Sequence, residues 1–157
     1  MIAGSRRLDA DLEQAAPVMS YQPLRIPAGS DLRRALEQAA LVKDGGSAFV
    51  ISGIGSLGVA RLRLAAADAE TLLEGPFEIL SLSGTLTPDG AHLHMAIADA
   101  DGRVLGGHVC YGNEVRTTAE VLLAALPGWA LARELDPQTG YRELVVRRSD
   151  TGDANDG

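Results

Sequence analysis

The chain has 157 residues, 46% apolar and 22% charged, with 14 Lys and Arg against 21 Asp and Glu for a net charge of −7. This length and apolar share suit one domain with a sizeable core and exclude a wholly disordered chain; with 4% aromatic residues, small aliphatics must fill that core. The acidic balance disfavours electrostatically driven binding to nucleic-acid phosphates or to anionic membranes.

Residues 1–21 carry Arg6, Arg7, Asp9, Asp11 and Glu13 among few bulky apolar groups and read as an N-terminal extension, with a short helix over 9–16. No apolar h-region opens the chain, and the longest apolar run, Val121 to Leu126, has six members, so no signal or membrane span is expected. The single cysteine, Cys110, cannot form an internal disulfide, and the chain reads as cytoplasmic. Residues 22–148 make up the predicted domain. Residues 149–157 (SDTGDANDG), with nothing apolar larger than alanine, read as a disordered tail.

Within the domain, Ser30 is placed to cap a helix whose apolar residues Leu32, Ala35, Leu36, Ala39 and Ala40 share one face, ending at Gly45-Gly46. Strands are predicted at Ala48–Ile51, Val59–Leu64, Phe77–Leu82, Leu93–Ala98, Val104–Tyr111 and Tyr141–Val146. Thr117–Leu126 is also read as strand, against the helical leaning of its Ala-Glu-Val-Leu-Leu-Ala-Ala run. Short connections require antiparallel pairing, which gives an α+β domain: an antiparallel β-sheet with one or two packed helices.

Gly53-Ile54-Gly55-Ser56-Leu57-Gly58 satisfies the GxGxxG dinucleotide fingerprint, but Val59–Leu64 alternates as a strand where that fingerprint needs a helix. The expectation is a glycine-rich bend or bulge between two antiparallel strands.

All three histidines fall within seventeen residues, at His92, His94 and His108. His92 and His94 are two apart on a strand and share a face. Asp99-Ala100-Asp101-Gly102 suits a type I turn followed by a left-handed glycine, a three-residue hairpin loop that pairs His94 with His108 and His92 with Cys110. Directly opposed residues project to one side with Cβ atoms about 4.5–5.5 Å apart, so three imidazoles could share a divalent metal, zinc first. Gly106-Gly107 would keep that side uncrowded. Cys110 stands as either a fourth ligand or a small core hydrophobe, and a two-residue loop would instead turn His108 to the opposite face. No HExxH, GxSxG or Walker A motif is present.

The run from Gly75-Pro76-Phe77-Glu78-Ile79-Leu80 through Pro88-Asp89-Gly90, His92-Leu93-His94 and Asp101-Gly102-Arg103-Val104-Leu105-Gly106-Gly107-His108 resembles the plant and prokaryote conserved (PPC) domain, as do Ser52–Ser56 and Thr117–Val121. The likeness extends over about residues 24–146. It implies a PPC-like fold assembled as a homotrimer, DNA-binding kinship of the kind plant members show beside AT-hooks, and, through HxH followed by GGH, zinc held by His92, His94 and His108. Two departures stand out. Pro76 replaces the family's arginine, and no Arg-Gly-Arg-Pro hook occurs. The sequence thus reads as a homotrimeric metal-binding module with DNA-binding kinship. One alternative is DNA binding through Arg25, Arg33, Arg34, Arg61 and Arg63; another is a metal-dependent enzyme of unspecified substrate, with Glu78 or Glu120 assisting at an open coordination position.

Overall fold

Helix α1 (Leu32–Asp44) forms where the apolar periodicity placed it, with Leu32, Leu36 and Ala40 buried at i, i+4 and i+8. Its cap is Asp31 and not Ser30: the Arg34 amide donates to Asp31 Oδ1 at 3.2 Å, while the Ser30 carbonyl accepts from the Val115 amide at 2.9 Å. The structure, a computed structural model, describes residues 20–44 and 46–149. The helix expected over 9–16 and the tail beyond residue 149 lie outside the described residues.

Among the described residues eight strands accompany the helix: β1 (Ser20–Pro27), β2 (Ala48–Arg63), β3 (Thr71–Thr87), β4 (Gly90–Ala98), β5 (Val104–Val109), β6 (Glu114–Ala125), β7 (Trp129–Leu135) and β8 (Arg142–Arg148). Six form an antiparallel sheet in the order β1-β6-β2-β3-β4-β5, and β7 pairs with β8 as a separate ribbon. The α+β architecture is therefore as the sequence indicates, with a single helix among the described residues. Two expected strands merge, because Ala48–Ile51 and Val59–Leu64 are the ends of β2 and the glycine fingerprint lies inside that strand. Register shifts at Val50/Ser52, Gly55/Leu57 and Leu57/Val59 bend β2 through the glycine run. Thr117–Leu126 is strand almost throughout, as β6. The sequence reading missed β1, which begins at Ser20 within the stretch assigned to the extension, and β7.

The sheet curls back on itself. At its far edge β5 pairs with β4 and also with the end of β2, through Leu62↔Val109 and Arg63↔His108. Leu32 and Leu36 of α1 pack in one aliphatic core with Leu57, Leu62, Leu82, Leu86, Leu93, Ile97, Val109 and Val115, all fully buried. Phe77 is the one aromatic in that cluster. On β4, Ala91, Leu93, Met95 and Ile97 point into the core, which leaves His92 and His94 on the outer face.

Gly106 and Gly107 serve backbone approach. A Cβ on Gly106 would lie 2.6 Å from the Met95 carbonyl oxygen of β4, and one on Gly107 would lie 2.7 Å from the Arg63 carbonyl oxygen of β2. These glycines let β5 fit between its two neighbours. Gly107→Ala is expected to lower the stability of the chain by about 1–3 kcal/mol, the range for overpacking a tight site, as read from urea unfolding midpoints. An unchanged midpoint would show that the approach of β5 to β2 is not constrained there.

Candidate metal centre

The β4–β5 hairpin sets the centre. Gly102 adopts φ +76°, its amide donates to the Asp99 carbonyl at 3.0 Å, and the Asp99 amide donates to the Arg103 carbonyl at 3.0 Å. Asp99 Oδ1 also accepts from the amides of Asp101 and Arg103, each at 2.9 Å. From this closure the register runs Ala98↔Val104 to His94↔His108. His92 sits two residues further along β4, opposite Thr85 of β3.

The three rings meet on the outer face. Their centroids are 5.0 Å apart for His92 and His94, 5.1 Å for His92 and His108, and 5.7 Å for His94 and His108. One nitrogen from each lies within 4.8 Å of the others, and the Nε2 atoms of His92 and His94 are 3.2 Å apart. A tetrahedral site with metal–nitrogen bonds of about 2.0–2.1 Å has nitrogen–nitrogen edges of about 3.3 Å, so the donor set fits a small divalent ion after modest rotation of the rings. His108 Nδ1 supports the same fit: it is buried without a hydrogen-bond partner among the described residues, an arrangement that costs free energy unless something accepts its lone pair or its proton.

Local electrostatics keep two of the rings neutral. Burial, and after it the neighbouring His92 and Arg63 charges, push the His108 pKa down to about 4. Burial, then Arg133 and His94, lower that of His92, against an opposing contribution from Glu143. Metal-ligating imidazoles must be unprotonated, so this environment favours coordination over cation formation.

Cys110 lies apart from the triad. After His108 the chain leaves β4: the Cys110 amide donates to the Arg61 carbonyl at 3.1 Å, and the fully buried Asn113 donates to the carbonyls of Cys110 and Arg61 at 2.7 and 3.1 Å. The expected His92–Cys110 pair does not form, and Cys110 lines a different cleft with Asp31, Arg61, Glu70 and Tyr111. Burial first, then Glu70, raises its thiol pKa, which disfavours the thiolate a ligand or nucleophile needs. Glu78 and Glu120 are also elsewhere. Glu78 is five residues along β3 from Ser83, the partner of His94, or about 16 Å at the rise of a strand. Glu120 lines a groove with Leu24, Arg25 and Ile54.

The carboxylate beside the histidines is Glu143, on the β7–β8 ribbon that the strand pattern only half revealed. The ribbon is fastened over the outer face by the Leu131 amide on Ser47 Oγ (3.1 Å), the Arg133 amide on Asp89 Oδ2 (2.8 Å) and Arg133 Nη2 on Thr85 Oγ1 (2.6 Å). It brings Arg133, Tyr141, Arg142 and Glu143 to the wall of a cleft shared with Arg63, His92 and His108.

Fold and cluster together define an antiparallel α+β domain with an imidazole triad on its outer sheet face. The chain belongs to the Plants and Prokaryotes Conserved domain family (abbreviated PPC or PCC), whose model matches residues 14–127, a stretch that includes all three histidines and ends before β7. It is 46% identical over 129 residues to a Bifunctional protein GlmU from Synechococcus sp. (strain JA-2-3B'a(2-13)); the match covers 82% of this chain and 20% of that protein's length. Among solved structures, a hypothetical protein from Salmonella cholerae-suis is 35% identical with a TM-score of 0.81, covering 85% of this chain and 96% of that one. A metal-containing protein from Archaeoglobus fulgidus is 34% identical with a TM-score of 0.69, covering 80% and 93%. A candidate DNA-binding protein from Bacteroides thetaiotaomicron, 21% identical with a TM-score of 0.67 and covering 82% and 98%, shares the fold.

Because the folded His108 titrates near 4 and a free imidazole near 6.5, the unfolded chain takes up a proton between those values that the folded chain does not. Stability of the metal-free protein is therefore expected to fall as pH drops from about 6.5 to about 4. His108→Gln should flatten that slope in urea unfolding followed against pH, and an equal slope in both proteins would contradict the assigned burial.

Proposed function

We propose that this protein is a homotrimeric, cytoplasmic metal-binding module in which His92, His94 and His108 hold a divalent ion, zinc first, with a coordination position left open. The observation that carries the reading is the convergence of three imidazole nitrogens within 4.8 Å, one ring bearing a buried, unpartnered nitrogen. The metal-containing Archaeoglobus relative supports it. Trimer formation is supported by the family resemblance and by exposed apolar side chains, among them Tyr21, Ile51, Ile54, Leu72 and Leu80, that association would cover. Among the described residues no helix is long and apolar enough to cross a membrane.

DNA binding is the reading that kinship offers and the charges disfavour. Of the five arginines singled out for it, Arg33 pairs with Glu37 at 3.1 Å, Arg34 with Asp31 at 3.7 Å and Arg61 with Glu70 at 2.7 Å, which cancels much of the field a phosphate backbone would feel. Duplex DNA is expected to show no retention by the chain in gel-shift assays even at low ionic strength. A complex whose affinity falls steeply with added salt would establish phosphate contacts and restore that reading.

A metal-dependent enzyme is the second reading, favoured by Glu143, a carboxylate that lines the hollows beside the triad together with His92. A bound zinc would supply Lewis acidity there.

Elemental analysis of protein purified without a polyhistidine tag should find one metal ion per chain. His94 is exposed on the outer face of β4, so His94→Ala should leave the fold intact and weaken zinc affinity at least about tenfold. Metal-free protein from a zinc-supplied preparation, or equal zinc affinity in His94→Ala, would overturn the proposal.

A further inference from the structure

The cleft over the triad is cationic although the chain as a whole is acidic. Arg63, Arg133 and Arg142 line it with Glu143, and Asp89 pairs with Arg142 at 3.8 Å, which leaves a formal +1 before any metal is counted, in a chain of net charge −7. We infer that the open side of the His92–His94–His108 centre receives a small-molecule oxyanion, a carboxylate or a phosphate, that coordinates the ion and is clamped by Arg63 and Arg133. This deepens the metal-binding reading and rests on it.

The arginines differ in how they are engaged. Arg142 is occupied: its Nε and Nη2 donate to the Arg133 carbonyl at 3.1 and 2.7 Å. Arg133 is held by one corner only, through Nη2 on Thr85, and its Nε is buried with no partner among the described residues. With Thr85 answering Nη2 and the neighbouring buried Nε unanswered, the guanidinium still has donors to offer an oxyanion, whose two oxygens suit the planar fork. Arg63 is exposed, lies opposite His108 in the β2–β5 pairing, and has no carboxylate within 4.0 Å among the described residues. The two arginines thus line the same cleft as His108 and His92, from β2 on one wall and β7 on the other.

The space is of small-molecule size. The cleft has a volume of about 440 Å³, and an adjoining hollow of about 270 Å³, lined by Ser83, Thr85 and His94, shares His92, Arg133 and Glu143 with it. The ribbon that roofs this space supplies Arg133 and Glu143, so the clamp exists only because β7–β8 folds back over β3 and β4.

Cobalt(II) absorption provides the test, since its visible bands respond to a change in the fourth ligand. The full chain is loaded with cobalt, its metal content measured, and inorganic phosphate and acetate titrated separately. A saturable spectral change with either anion is expected, and the tighter of the two identifies the ligand class. Arg63→Gln, at an exposed position, and Arg133→Gln are made in parallel; at equal cobalt content, at least about tenfold weaker anion binding in either variant supports the clamp. A cobalt-loaded chain that responds to neither anion, or unchanged anion affinity in both variants, overturns the inference while the metal reading stands. A chain that takes up no cobalt fails the metal reading itself, and the clamp with it.

Discussion

The outer face of this domain is organised by the double pairing of β5. A six-residue strand is held on one side by β4 and on the other by the end of β2, so His108 has Cα partners in both His94 and Arg63. Such pairing leaves no freedom of register, because a one-residue slip would carry His108 into the core and expose Val109, which is now fully buried. Two consecutive glycines make the approach sterically feasible. The aliphatic core on one face and the imidazole cluster on the other are consequences of the same constraint.

Above that face lies the β7–β8 ribbon, and its placement changes the chemistry of the histidines from that of three exposed side chains to that of a walled site. It partly buries His92 and contributes two arginines, a tyrosine and a carboxylate to the wall of the cleft. Low exposure and cationic neighbours hold His92 and His108 in their neutral, ligating form. The same cations that discourage protonation would welcome an anion beside a bound metal. An acidic chain therefore keeps a locally positive hollow, a separation that whole-chain charge cannot reveal.

Sequence legibility followed the range of the interactions. Asp99-Ala100-Asp101-Gly102 encodes its loop locally, and the loop propagates the register by simple counting, which is why His94 and His108 could be paired from sequence. Counting stopped at His108, where Asn113 and the Arg61 carbonyl draw the chain from β4 to β2 and carry Cys110 away; these contacts span about fifty residues and leave no local signature. Gly55 and its neighbours read as a break because a bent strand cannot be told from two short ones by composition. β1 was hidden by Pro23 and Pro27, and β7 by the absence of alternation in Trp129–Leu135. Glu143 could have been sought only by asking which strand covers the histidine face. Its own strand was legible, but the direction in which that strand folds back was not.

X-ray absorption at the zinc edge of the untagged, zinc-loaded chain examines the imidazole convergence most directly. Three imidazole nitrogens at about 2.0–2.1 Å with one further light-atom ligand and no sulfur shell are expected. A sulfur scatterer at about 2.3 Å, or fewer than three imidazoles on the ion, would contradict the geometry that β5 imposes.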